Sequence, residues 1–126
     1  MKKLIIIDDN KDFLELMLLS LSKQYDCYGF VSLKDLFDNY DMTHFDLLIC
    51  DYNVCGDEAP DIIKAIKSKG LLNDQPVLLI SGSDEKSLNE YNLDNGHYLE
   101  KPFKFSDLKN LLQHIFDENR EEAPTV

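Results

Sequence analysis

Short runs of consecutive apolar residues alternate along the chain with segments in which apolar residues recur every three or four positions. The short runs are typical of strands covered on both faces, and the periodic segments are typical of helices with one apolar face. This alternation predicts βαβ units around a parallel sheet, and hence an α/β, doubly wound fold. The predicted strands lie at 4–7, 27–31, 46–50, 77–80 and 97–100.

Capping and helix-breaking residues set the limits of the predicted helices. Asn10, Ser32 and Ser106 can cap a first helical turn, and Gly70 can end a helix. The helix capped by Asn10 is predicted to run to about 24, and the helix capped by Ser32 to about 40. Ser106 is predicted to cap the C-terminal helix, and two more helices are predicted from about 59 to 70 and over 87–92. The charged segment after about 117 has no apolar period, so we expect one domain at 1–117 and an acidic, disordered tail at 118–126.

Polar side chains stand directly after four of the predicted strands. Asp8 and Asp9 follow the first strand, Asp51 the third, Ser81 the fourth and Lys101 the fifth. Because functional groups collect beyond the carboxyl ends of parallel strands, we expect these five side chains at one edge of the sheet. Three neighbouring carboxylates require a compensating cation, and a set of oxygen ligands suits Mg2+. With the lysine and the hydroxyl, the set predicts phosphoryl transfer onto a carboxylate, and Asp51 is the natural nucleophile.

Simpler interpretations exist for each of these residues. The aspartate pair could cap the first helix, and Asp51 could be a plain turn residue. Ser81 and Asn53 could serve turn chemistry, and Tyr98 could be an ordinary half-buried strand aromatic. Asp8, Asp9, Asp51, Ser81 and Lys101 occur together in one short chain, each after a predicted strand, and this favours the catalytic interpretation.

The composition narrows the classes of partner. The chain has 126 residues, 44% of them hydrophobic, which is the size of one globular domain. Its net charge of −11 argues against nucleic acid or an anionic membrane as the partner, because both attract clustered Lys and Arg. Three cysteines, with no apolar run long enough for a signal peptide or a membrane span, predict a reduced, cytoplasmic protein.

The chain resembles a response-regulator receiver domain of two-component signalling, of the CheY-like superfamily, over roughly residues 3–116. The likeness rests on DD at 8–9, on DLLICD ending at Asp51, on Ser81 at the hydroxyl position and on KP at 101–102. It implies a flavodoxin-like (βα)5 fold with strand order 2-1-3-4-5. It also implies a Mg2+ cofactor held by Asp8, Asp9, Asp51 and the backbone carbonyl of Asn53.

The resemblance also implies a mechanism and partners. A histidine kinase or a histidine phosphotransfer protein would donate a phosphoryl group to Asp51, giving 4-aspartylphosphate, and the receiver would catalyse this step and its reversal by hydrolysis. Lys101 and Ser81 would bond the phosphoryl oxygens, and Ser81 and Tyr98 would switch a surface that binds a downstream target protein. Pro102 would follow a cis peptide bond. The implied assembly is a monomer or a weak phosphorylation-dependent dimer, without nucleic acid or membrane.

Two other classes of function stand beside this one. A degenerate receiver could act only as a protein-interaction module, but it would be expected to lose an acidic residue or the lysine. An unrelated doubly wound fold, a flavin binder or an aspartate-based hydrolase, would need a phosphate loop after the first strand or a second aspartate two residues after Asp51. One departure from the receiver pattern is the loop YNVCGDE, in which Cys55 stands where proline is common.

Overall fold

The structure is a computed structural model that describes residues 1–41, 43–82 and 95–119. Its strands are β1 (Lys3–Ile7), β2 (Asp26–Phe30), β3 (Leu47–Asp51), β4 (Asn53–Val54), β5 (Asp57–Glu58), β6 (Val77–Ser81) and β7 (Gly96–Glu100). Its helices are α1 (Lys11–Leu21), α2 (Leu33–Asn39), α3 (Ala59–Ser68) and α4 (Phe105–Asn119).

Five of the strands form one parallel sheet in the order β2-β1-β3-β6-β7. Numbered within this sheet alone, they have the order 2-1-3-4-5, which confirms the predicted fold class. Each predicted strand lies within one residue of the observed one. The order places β1 and β3 side by side at the centre, with Ile7 opposite Cys50, so the residues that follow these two strands are neighbours.

The side chains of β1 alternate between two apolar cores, one on each face of the sheet. Ile5 and Ile7 pack with residues of α2 and α3, and Leu4 and Ile6 pack with residues of α1 and α4. All four side chains are fully buried. A strand covered on both faces has no solvent-facing positions, and this explains why the sequence runs as consecutive aliphatic residues instead of alternating.

The predicted caps of the first two helices are observed. The Asn10 side chain accepts a hydrogen bond from the Phe13 amide at 3.1 Å, and Ser32 Oγ accepts one from the Asp35 amide at 3.0 Å. Gly70, with φ +76°, follows the end of α3 in the left-handed conformation expected of it. Helix α1 ends at Leu21, earlier than the predicted residue 24, and in the turn that follows the Leu21 carbonyl accepts the amides of Gln24 and Tyr25.

Other boundary predictions were wrong or fall outside the described residues. Ser106 is not a cap, because α4 begins one residue earlier at Phe105, whose ring packs on Phe13 and Phe103. Helix α4 continues to Asn119, two residues into the predicted tail, and 120–126 and the predicted helix at 87–92 lie outside the described residues. In the part of the chain that is described, no helix has both the length and the apolar character needed to cross a bilayer.

The predicted loop after β3 contains a small β-hairpin. Strands β4 and β5 pair antiparallel, with Asn53 opposite Glu58 and Val54 opposite Asp57. The two residues between them, Cys55 and Gly56, have φ values of 52° and 86°. Positive φ at both central residues is the signature of a type I′ turn, the connection that fits the twist of a two-residue hairpin. The segment is therefore a defined element beside the carboxyl edge of the sheet.

Candidate functional site

Three carboxylates meet at the carboxyl edge of the sheet. Asp8 follows β1 directly, Asp9 comes next, and Asp51 is the last residue of β3. One oxygen of each lies within 4.8 Å of the others, and among the described residues this is the cluster of carboxylate, histidine and cysteine groups that could hold a metal ion. The adjacency of β1 and β3 brings them together, as expected from their positions after neighbouring strands.

Asp8 is almost completely buried, with 2% of its surface exposed. Its amide donates to the Phe30 carbonyl at 3.0 Å, which carries the β1–β2 ladder one residue past the end of the strand. One carboxylate oxygen, Oδ1, accepts the Asn10 amide at 2.9 Å, and the other, Oδ2, faces Lys101. The cap of α1 is Asn10, so Asp8 stabilises the turn with one oxygen and leaves the second for the cluster.

Asp9 is exposed, and the hairpin holds its carboxylate. Asp9 Oδ2 accepts the backbone amide of Cys55 at 2.9 Å, a contact between residues 46 positions apart in the chain. The contact depends on the turn geometry at Cys55 and Gly56, because this turn directs the amide toward the end of β1. The hairpin therefore fixes the most solvent-accessible of the three carboxylates.

Lys101 supplies the positive charge of the cluster. It follows β7, its amide donates to the Ser81 carbonyl at 2.7 Å, and its peptide bond to Pro102 is cis. Its ammonium lies 3.5 Å from Asp8 Oδ2 and 3.7 Å from Asp51 Oδ2. The side chain keeps 30% exposure, against 16% for that of Asp51, so this cation is shared between two more buried anions.

The environment of Asp51 disfavours its ionised form. Burial, and then the negative charge of Asp8, raise the pKa of Asp51 from 3.8 to about 6, although the nearby Lys101 ammonium acts in the opposite direction. One lysine thus leaves negative charge uncompensated among three carboxylates. Next to Asp51, the fully buried Cys50 thiol donates to the Asp51 carbonyl, and burial raises the pKa of this thiol, so it does not compete as a nucleophile.

The other predicted site residues lie on three different strands. Ser81 is the last residue of β6 and 2% exposed, and Ile80, just before it, is opposite Asp51 in the sheet. Asn53 is exposed at the start of the hairpin. Tyr98 lies in the middle of β7, opposite Leu79, with 40% exposure. Its position in the strand places it away from the carboxyl end, where the other predicted groups lie.

Two contacts in the site were not predicted from the sequence. Phe13, expected only as part of the apolar face of α1, has its ring 4.5 Å from the Lys101 ammonium. Cys55, noted only as a departure in a loop, provides the amide that bonds Asp9. Neither residue type signals such a role by itself.

The donor set of the cluster fits a hard divalent cation. All three side chains offer oxygen, which Mg2+ and Ca2+ prefer, and among the described residues the single Lys101 ammonium is the cation in contact with Asp8 and Asp51. A carboxylate oxygen of Asp51 lies 3.7 Å from the Lys101 ammonium, so a group bound to this carboxylate would lie beside a positive charge.

Comparison with known families decides the class of the protein. A model of the response regulator receiver domain family matches residues 4–113 of the 126. The chain belongs to the response regulator receiver domain family. Over 82 residues this receiver domain is 34% identical to the Arabidopsis thaliana two-component response regulator ARR2, and the match covers 62% of this chain. It covers 12% of ARR2, so the receiver domain corresponds to a small part of that protein.

Solved structures support the fold. The receiver domain superimposes on a CheY-like receiver domain protein from Methanospirillum hungatei JF-1 with a TM-score of 0.81, 20% identity and coverage of 98% of this chain and 99% of that one. The Francisella response regulator 1452 receiver domain gives a TM-score of 0.76 at 17% identity, covering 94% and 99%. CheY4 of Vibrio cholerae gives 0.76 at 19% identity, covering 91% and 98%. At these identities the likeness establishes the fold.

Proposed function

We propose that this receiver domain accepts a phosphoryl group on Asp51 from the phosphohistidine of a histidine kinase or a histidine phosphotransfer protein. The observation that carries the proposal is the meeting of Asp8, Asp9, Asp51 and Lys101 at one sheet edge in a member of this family. A degenerate receiver that only binds proteins would be expected to have lost one of these groups, and all of them are present.

The proposed cofactor is Mg2+, held by Asp8, Asp9, Asp51 and the backbone carbonyl of Asn53. The oxygen donors and the excess of negative charge fit this ion. When bound, it neutralises charge on the carboxylates and on the transferring phosphoryl oxygens. The hairpin contributes by fixing Asp9 through the Cys55 amide, so that the exposed carboxylate is already in place.

In the transfer, an Asp51 carboxylate oxygen attacks phosphorus, a P–O bond forms, and the P–N bond to the donor imidazole breaks. The imidazole nitrogen keeps the electron pair of that bond and takes a proton. Lys101, already 3.7 Å from Asp51 Oδ2, is positioned to pair with a phosphoryl oxygen. The buried Ser81 hydroxyl would bond another oxygen, and hydrolysis of the acyl phosphate would reset Asp51.

The output of the switch is a change in a protein-binding surface. Ser81 and Tyr98 would move together, and Tyr98, 40% exposed in the structure, would turn inward on phosphorylation. The surface that includes β7 and α4 would then change its affinity for a downstream target protein. The proposal includes a cytoplasmic location and a protein that stays a monomer or forms a weak phosphorylation-dependent dimer. It includes no nucleic-acid or membrane partner.

The test is the intact mass of the protein after incubation with acetyl phosphate. With Mg2+ we expect a gain of about 80 Da, one phosphoryl group, and we expect none with a chelator or in Asp51→Asn. Asp57→Asn, which changes an exposed carboxyl on the hairpin, is the matched control and should be labelled normally. Normal labelling of Asp51→Asn would assign the acceptor to another residue. No labelling of the native chain, by acetyl phosphate or by a phosphorylated phosphotransfer protein, would refute the function.

A further inference from the structure

The Lys101 ammonium is held loosely by its carboxylates and closely by an aromatic ring. It lies 3.5 Å from Asp8 and 3.7 Å from Asp51, whereas a charge-assisted N–H···O bond is typically ~2.7–2.9 Å long. The third neighbour is the Phe13 ring, whose centroid is 4.5 Å from the ammonium, well inside the ~6 Å range of a cation–π contact. The ring and the two carboxylates are thus three neighbours of the same ammonium.

Two further rings hold the Phe13 ring. Phe103 packs edge-on to Phe13, with centroids 5.8 Å apart, and Phe105 stacks on it at 6.3 Å. Phe103 and Phe105 also contact each other edge-on at 6.0 Å. Both belong to the segment KPFKF that begins at Lys101. The same short segment therefore carries Lys101 and the two rings that pack against Phe13, the ring that the Lys101 ammonium contacts.

We propose that Phe13 is a positioning residue that holds the Lys101 ammonium between Asp8 and Asp51 through the face of its ring. An aromatic face attracts a cation without occupying any of its N–H donors. The ammonium donors that Asp8 does not accept therefore remain available for a phosphoryl oxygen on Asp51. The proposal rests on the proposed function, because the benefit of this placement is the readiness of Lys101 for the incoming group.

The experiment compares three variants of the full chain. Phe13→Leu keeps an apolar side chain but removes the π face, and Phe13→Tyr restores the face. Phe116→Leu is the matched control, because Phe116 is also half-buried with a lysine ammonium, that of Lys2, 5.6 Å from its centroid, but belongs to the far end of α4. Each variant is measured for the initial rate of labelling by acetyl phosphate with Mg2+, and by NMR of the Lys101 ε-methylene in metal-free protein.

We expect Phe13→Leu to be labelled about three- to tenfold more slowly, the range that corresponds to loss of a partly exposed cation–π contact. Its Lys101 methylene resonances should lose the upfield shift that the ring current causes. Phe13→Tyr should keep the shift and react within about twofold of the native rate, as should Phe116→Leu. If Phe13→Leu loses both the labelling rate and the Lys101 resonance shift, and Phe13→Tyr restores both, a purely structural role of Phe13 is excluded.

The proposal is overturned if Phe13→Leu is labelled at the rate of Phe116→Leu and leaves the Lys101 resonances unchanged. It is also overturned if Phe13→Tyr, folded by its NMR spectrum, reacts as slowly as Phe13→Leu. If the native chain is not labelled at all, the proposed function fails, but the metal-free NMR comparison still decides whether the ring holds the ammonium. The two failures are therefore distinguishable.

Discussion

Replacing Asp51 with asparagine should make the metal-free protein more stable at neutral pH, although it removes the proposed acceptor. Burial and the charge of Asp8 raise the pKa of Asp51 from 3.8 to about 6, so the folded chain holds a proton there that the unfolded chain releases. A raised carboxyl pKa contributes stability below the unfolded pKa that is lost as pH rises through the folded one. Asparagine, which is neutral at every pH, should avoid this loss.

The magnitude follows from the two pKa values. The pKa of Asp51 is 3.8 in the unfolded chain and about 6 in the folded chain. Ionisation of Asp51 therefore lowers the free energy of unfolding by ~0.5 kcal/mol at about pH 4 and by ~3 kcal/mol at about pH 7.5. The side chain is only 16% exposed, so solvent screening reduces the larger figure little. Asp51→Asn should therefore gain ~2–3 kcal/mol in free energy of unfolding between these two pH values.

The assay is urea unfolding followed by circular dichroism in the presence of a chelator, since the chain has no tryptophan. Low protein concentrations are appropriate at about pH 4, because the isoelectric point is about 4.5. Asp57→Asn is the control and should differ from the native chain by less than ~0.5 kcal/mol at both pH values. If the gain of Asp51→Asn does not grow with pH, burial and the charge of Asp8 do not raise the pKa of Asp51, and the reasoning is refuted.

Three further predictions concern the cation, the hairpin and the end of α3. Mg2+ at about 100 times its dissociation constant should stabilise the native chain by ~2.7 kcal/mol, seen as a higher melting temperature. Asp9→Asn should lose most of this gain, and an equal gain would exclude Asp9 as a ligand. Cys55→Pro should lose ~1–3 kcal/mol in free energy of unfolding in urea, because proline cannot adopt a φ of 52° and has no amide hydrogen to donate to Asp9. Cys55→Gly keeps the positive φ and the amide, and it should be at least as stable as the native chain. Equal stability of Cys55→Pro and Cys55→Gly would contradict this prediction. Gly70→Ala should cost ~1 kcal/mol by the same assay, because nothing crowds its Cβ and only the left-handed φ of 76° opposes it; an unchanged midpoint would show that the backbone relaxes there.

The parallel sheet could be predicted because the signals for its five strands are local. The run at Leu4–Ile7 is aliphatic at every position because both faces of β1 are covered, and the polar residues that end β1, β3 and β7 mark the same edge. Once the strands are parallel, their ends must converge. The cluster of Asp8, Asp51 and Lys101 is thus a consequence of topology, and this is why its members could be named from the sequence.

The contacts that could not be predicted depend on distant parts of the chain. The hairpin turn at Cys55 is accompanied by a bond to Asp9, 46 positions away, and a cysteine in the left-handed region has no strong sequence signal. Helix α4 begins at Phe105 instead of being capped by Ser106. Phe105 packs on Phe13, which belongs to the first helix. In both cases, a tertiary contact accompanies a backbone choice that local propensity does not specify.

Burial and the charge of Asp8, which raise the pKa of Asp51, and the placement of Lys101 are parts of one electrostatic problem. A single ammonium 3.5 Å from Asp8 and 3.7 Å from Asp51 is not enough to bring the pKa of Asp51 to its ordinary value. A lysine in full contact with Asp51 would compensate better, but its donors would then be bound to the proposed phosphoryl acceptor itself. By resting against Phe13 the ammonium stays between the two carboxylates, so the uncompensated charge remains available to favour a cation. The cost in stability and the proposed binding of Mg2+ and reaction of Asp51 therefore have the same structural origin.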